Sequence, residues 1–247
     1  CLVGSEMCIR DRSRAGYIVV APDIPGLVRE SVTPSDVDAV VAAFQAMAAT
    51  PRIERSRMGM VGFSIGASLQ LIAASDPRIR DEVRMVDDVG GYWRLADIVQ
   101  VATTHNTVSG GSITPFVPNP YVWEVGRNSL IAMLPRTGDR STLAAMFAGD
   151  QPSPLPAEQG RLAELSPEGR VMYDLFTNRD PSLADGIVAR LPGVVRGSFA
   201  ALSPDDHVGQ VTAFVHVLHD RGDPFIPVQE SRLLAAAPSL PGHSSLL

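Results

Sequence analysis

A run of apolar, mostly unbranched and β-branched residues that ends in a glycine-flanked turn and passes directly into a helix leaves a chain few folds to choose from. Residues 57–63, RMGMVGF, are such a run, 62–66 (GFSIG) form the turn, and 66–74 read as an apolar helix. Another strand is expected over 83–88. Upstream, 17–21 (YIVVA) reads as a buried strand stopped by the turn residues PDIPG. Thr33-Pro34 then supplies a helix start. Val37, Val40, Val41, Phe44 and Met47 follow on one apolar face, and Pro51 closes the helix. Strand, helix, strand, helix, strand at this spacing predicts an α/β fold with a mostly parallel sheet flanked by helices.

The alternation stops near residue 103. Between 103 and 203 there is no strand rhythm, only proline-rich turns and capped helical segments. Ser166-Pro167 starts one, with Val171, Met172, Leu175 and Phe176 on its apolar side, and Asp180-Pro181 starts another. A helical lid laid over the sheet is expected, with Tyr121, Trp123, Phe147 and Phe176 in its core. Alternation resumes with a strand at 211–218 and a helix at 228–237. The chain therefore divides into a first core part (13–102), the lid (103–203) and a second core part (204–247).

Residues 1–12 stand apart. Leu2 to Asp11, LVGSEMCIRD, reads like one frame of a transposon-end sequencing adapter taken as coding sequence, and has no helical or strand period. The segment is expected to be non-native and outside the fold. Both cysteines, Cys1 and Cys8, lie in it, so disulfides, thiol catalysis and cysteine-bound metals are not expected of the rest. The formal charge of −6 disfavours nucleic acid, which needs a basic face. No apolar run approaches the roughly 18 residues of a membrane span, and no secretory signal is evident, so no membrane partner and a cytoplasmic protein are expected.

Gly62-Phe63-Ser64-Ile65-Gly66 carries the chemistry. A nucleophilic serine needs a sharp, strained turn to project above a sheet edge, and the flanking glycines remove side chains that would meet strand and helix backbone. The turn also places the Ile65 N–H at a helix N-terminus, where amide and dipole stabilise a developing oxyanion. His216 and His219 have the look of a metal pair. Their odd separation on a strand points them to opposite faces, so no metal site is expected. His105 and His207 read as surface residues. Tyr92 and Trp93, just past a strand, either line a substrate pocket or pack against the lid. Arg94 and Arg127 could read an anionic group, but lone arginines are usually solvated or paired.

With its strand-turn GYIVVAPDIPG, its elbow VGFSIGAS and its late segment HVLHDRGDPFIPVQESRLLA, the chain resembles the α/β-hydrolase superfamily, in particular serine hydrolases related to dienelactone hydrolases and acyl-peptidases. The resemblance covers residues 16–102 and 202–237. Dienelactone hydrolases proper carry Cys at the elbow, so their substrate does not follow. The resemblance implies an α/β-hydrolase fold with a helical lid, incomplete at both ends. It implies a serine hydrolase cleaving a carboxylic ester, less readily an amide, through an acyl-enzyme on Ser64, with a small ester-like substrate and no cofactor. Asp223 is then the catalytic acid, with Asp220 its competitor, and Ile65 supplies one oxyanion amide. A second amide is expected from an upstream loop and the catalytic histidine from beyond residue 247, leaving this chain nearly inactive. His243 is the alternative histidine, followed by His105 or His207. From a different class, the same fold could be a non-catalytic module that binds a small apolar ligand under its lid.

Overall fold

The computed structural model describes residues 9–238 and 240. Three parallel strands, β1 (Gly59–Phe63), β2 (Met85–Val89) and β5 (Phe214–Leu218), lie in the order β1-β2-β5. Their registers align Met60, Val86 and Val215 in one row and Gly62, Asp88 and Val217 in another. β1 passes through Ser64 into helix Ile65–Ala73, in which every residue from Ala67 onward is buried. That helix joins two apolar cores. Leu71 and Ala73 pack with Val41, Phe44, Val86, Val215 and Leu234 beside the sheet. Leu69 faces the other core, formed chiefly by residues 123–202.

Helix Ser35–Ala48 begins where Thr33-Pro34 predicts, but its N-terminus is held by Asp36. The buried Asp36 carboxylate accepts the Thr33 N–H at 2.8 Å and the Gly26 N–H at 2.7 Å. One charge-assisted cap thus ties the turn at Pro25–Val28 to the helix.

Residues 17–21 depart from the expected buried strand. They pair with no described strand, and Tyr17, Ile18 and Val20 are 64%, 55% and 54% exposed. An apolar run becomes a strand only when a neighbour takes its backbone groups, and among the described residues β1 is paired on its β2 side alone. Residues 9–14 are helical and none is buried, although Arg12 reaches Asp87 of β2 at 3.4 Å. Cys1 and Cys8 lie outside the described residues.

Between β2 and β5 the chain forms a helical layer: Leu95–Thr104, Pro120–Met133, Thr137–Met146, Pro167–Thr177, Ala184–Arg190 and Gly193–Ala201. Trp123, Phe147 and Phe176 meet edge-on at its centre, with ring centroids 5.0–6.0 Å apart. The layer also holds a hairpin that the sequence reading passed over, β3 (Asn106–Ser109) with β4 (Ser112–Pro115). Its turn is Gly110-Gly111, with φ of +55° and +79°, the left-handed pair that a two-residue hairpin turn requires. Phe176 is fully buried against both other rings. Phe176→Ala should lower the unfolding free energy by about 3–5 kcal/mol in a urea titration; a loss under about 1 kcal/mol would show that the aromatic cluster does not hold this layer together.

Candidate functional site

Ser64 is the junction between β1 and helix Ile65–Ala73 and has φ +54°, ψ −130°. A left-handed φ is unfavourable for a residue with a Cβ. Here the strain is held from both sides: the Ser64 N–H donates to the Val89 carbonyl at 2.8 Å, and its carbonyl accepts the Ala67 N–H at 2.9 Å. The side chain does not cap the helix and makes no hydrogen bond to any described residue, so Oγ stands exposed and free. Ile65 is the first residue of the helix, and its N–H has no backbone acceptor among the described residues.

The two elbow glycines are not equivalent. A Cβ on Gly62 would lie 2.6 Å from the Gly66 carbonyl oxygen and 2.7 Å from the Ala67 Cα, both backbone. At Gly66 it would meet only the Leu27 Cδ1, at 3.9 Å. The expectation that both glycines clear backbone therefore applies to Gly62 alone.

Asp223 lies on the loop that follows β5. Its Oδ1 accepts the N–H groups of Phe225 at 2.7 Å and Ile226 at 3.2 Å. Its Oδ2 faces Gly90, where a Cβ would come within 3.3 Å, and lies 3.4 Å from the His219 Nε2. Asp220, its competitor, accepts the Gly222 N–H at 2.8 Å and shapes the turn. Phe225 and Ile226 share the wall of an apolar cavity of about 70 Å³ with Ser64, Ile65 and Tyr92. The Asp223 loop and the serine elbow thus border one space, reached from opposite ends of the chain.

Trp93 is not on that wall. It packs against the sheet-side core, while the Glu230 carboxylate accepts its N–H at 2.9 Å. Neighbouring residues in this segment point opposite ways, which sends Tyr92 to the cavity and Trp93 away from it. Tyr121, expected in the lid core, is 43% exposed and lines the cavity instead. Arg94 pairs with Asp97, Asp185 and Asp205, and Arg127 donates to the carbonyls of Phe147 and Gly149. Both guanidiniums are occupied within the protein.

Among the histidines, His105 caps helix Leu95–Thr104, His207 contacts the Ala200 carbonyl, and His216 lies 3.4 Å from Asp87. None of them lines the cavity. His243 lies outside the described residues. His219, read from sequence as a strand-end residue, is buried: Nε2 donates to the Ile226 carbonyl at 2.9 Å and Nδ1 pairs with the Ser231 hydroxyl. Its only advance signal was its place four residues before Asp223. Among the described residues no group of three or more His, Cys, Asp or Glu is arranged to hold a metal, and no helix is long and apolar enough to cross a membrane.

No family model matches the chain, and no curated protein matches it. Among solved structures it is similar to a meta-cleavage product hydrolase from Pseudomonas fluorescens IP01, with 17% identity over 87% of this chain and 62% of that one at a TM-score of 0.37. An acetylester hydrolase from Corynebacterium glutamicum gives 20% identity over 88% and 59% at 0.34. An alpha/beta hydrolase fold protein from Nakamurella multipartita gives 19% over 87% and 66% at 0.34. The chain spans about three fifths of the length of the first of these structures.

Two buried acids went unread in the sequence. Asp88 sits in an apolar row beside Val217; its Oδ1 accepts the Gly91 N–H at 3.1 Å and its Oδ2 has no partner among the described residues. Burial pushes its pKa up to about 7. Glu230, which accepts the Trp93 and Arg94 N–H groups, is likewise pushed up to about 7 by burial and then by nearby Asp97.

Two predictions follow from this geometry. Gly62→Ala should prevent the elbow from closing, lowering the melting temperature by several degrees, whereas Gly66→Ala should leave it within a degree or two; equal effects would refute the asymmetry. For the acids, a folded pKa above the unfolded value makes the contribution greatest below about pH 4 and loses it as pH rises through about 7. Asp88→Asn and Glu230→Gln should each flatten that decline. Relative to wild type, each variant should gain roughly 3–4 kcal/mol between pH 4 and pH 8. Unchanged slopes in denaturant titrations across this range would contradict the assignment.

Proposed function

We propose that this chain carries an α/β-hydrolase core and that the protein is a serine hydrolase acting on a carboxylic ester. What carries the reading is Ser64: a left-handed residue between a parallel strand and a helix, its Oγ unengaged, next to a free helix-start amide, over an apolar cavity. Strain of this kind persists where the surrounding structure holds it, and it clusters at functional sites.

In the proposed reaction the Ser64 Oγ attacks the ester carbonyl carbon and its proton passes to a histidine. The Ile65 N–H stabilises the oxyanion as the tetrahedral intermediate forms. The C–O bond to the alcohol then breaks, and the histidine returns the proton to the departing alkoxide. Water, deprotonated by the same histidine, attacks the acyl-enzyme, releasing a carboxylic acid and restoring the Ser64 hydroxyl. Asp223 is the acid that orients the histidine and stabilises its charged form; its Oδ1 is already anchored by two backbone N–H groups, leaving Oδ2 for that task. For that histidine the sequence leaves alternatives open, His243 among them. His219 has both ring nitrogens engaged, with Ser231 and Ile226, and is instead placed to steady the Asp223 loop.

A fluorophosphonate probe tests this reading, because it phosphonylates an activated serine. In the full-length protein, wild type should be labelled, Ser64→Ala should not, and Asp223→Asn should label at least about 100-fold more slowly. Wild-type labelling no greater than that of Ser64→Ala would remove the hydrolase reading and favour a ligand-binding module.

A further inference from the structure

The cavity beside Ser64 has an unusual wall. On helix Pro120–Met133, Tyr121 at the start and then Val122, Val125, Gly126, Ser129, Leu130 and Met133 face it, the last six a continuous stripe at helical spacing. Gly126 lies in the middle of that stripe and is, among the described residues, the one glycine lining the cavity. Glycine is disfavoured in a helix interior, so its presence asks for a reason. Its φ is not left-handed, and a Cβ built on it would meet no atom within 4 Å. Neither a turn nor a close backbone approach requires glycine here, in contrast to Gly62 and to Gly169, where a Cβ would run into the Asp139 carboxylate at 2.6 Å. What the missing side chain leaves is space.

The rest of the wall defines the chemistry of what can fill that space. Among the described residues no charged side chain lines it. The Ser129 hydroxyl accepts the Val32 N–H at 2.8 Å and donates to the Val125 carbonyl at 2.7 Å, and the Tyr92 hydroxyl donates to the Leu202 carbonyl at 2.8 Å. Tyr121 interacts with Glu30. Among the described residues, a group entering the cavity therefore finds Ser64 and, at the exposed rim, Tyr121 as its polar side chains, and a polar or charged group deeper in would lose its hydration without replacement. The volume of about 70 Å³ is several times the ~10–15 Å³ that one water needs, room for an alkyl or aryl group.

We propose that Gly126 sets how long an apolar group is accepted beside Ser64, so that side chains larger than hydrogen at this position shorten the preferred chain. The inference rests on the cavity being the substrate's site, as proposed above, and two measurements separate the two ideas. In the first, ethyl and octyl fluorophosphonates are compared for their rate of labelling Ser64 in the full-length protein. Gly126→Val should slow the octyl probe at least about 10-fold, in line with the cost of a misfitted methylene or two in an apolar pocket, and leave the ethyl probe within about twofold. Gly126→Ala, which favours the helix, should give a smaller effect in the same direction and serves if Gly126→Val does not fold.

In the second, thermal shifts with 1-butanol and 1-octanol are read on Ser64→Ala and on Ser64→Ala carrying Gly126→Val or Gly126→Ala. The octanol shift should shrink in the double variants and the butanol shift should not. Labelling absent from every protein, with this octanol effect present, would sink the hydrolase reading and leave Gly126 as the length determinant. Equal slowing of both probes, or octanol shifts unchanged by the substitutions at 126, would overturn the proposal.

Discussion

The arrangement depends on one close approach, that of Gly62 to the Gly66 carbonyl and the Ala67 Cα. Without a Cβ at position 62, strand β1 can turn into its helix over a single residue. That residue, Ser64, is then forced into a left-handed conformation and pinned by the Val89 carbonyl of the neighbouring strand. The strain is not stored in a loop that could relax. It is clamped between a parallel sheet and a helix buried on all sides from Ala67 onward, so the serine hydroxyl is held where it cannot serve as an ordinary helix cap.

Around that junction the two halves of the core are brought together by β2. Its C-terminal end supplies the Val89 carbonyl to Ser64, and Gly90 donates to the Leu218 carbonyl at 2.8 Å while facing Asp223. A side chain at Gly90 would press on the carboxylate, and its φ of +67° suits glycine. The elbow and the acid loop are thus coupled through two residues of one strand end, and the helical layer closes over them as an apolar roof. The buried acids sit just outside this coupling: Asp88 beneath Gly91, and Glu230 holding the backbone of Trp93 and Arg94. Each trades a desolvation cost for a fixed turn beside the cavity.

Local chemistry made much of this legible. The elbow, the helix starts at Thr33-Pro34, Ser166-Pro167 and Asp180-Pro181, and the strands at 59–63, 85–89 and 214–218 follow from period, proline and cap residues that act within one turn or one strand. Asp220 and Asp223 could be weighed because turn formation is also local. The hairpin at Gly110-Gly111 was legible too, since two consecutive glycines between short polar segments are a two-residue turn signal.

Other features depended on contacts made far along the chain. Residues 17–21 have the composition of a buried strand, yet burial needs partners that composition cannot supply. Asp88 and Glu230 look like ordinary surface acids until a register places one beside Val217 and a helix brings the other under Trp93. Tyr92 and Trp93 are adjacent in sequence and part company where Ser68 and Glu230 hold the backbone around them. By itself the sequence determined an α/β chain with a serine elbow, because those properties arise from near neighbours along the backbone. Which side chains wall the space beside Ser64, and that Gly126 leaves part of it open, were decided by tertiary structure, because a cavity exists only between elements that meet across many residues of chain.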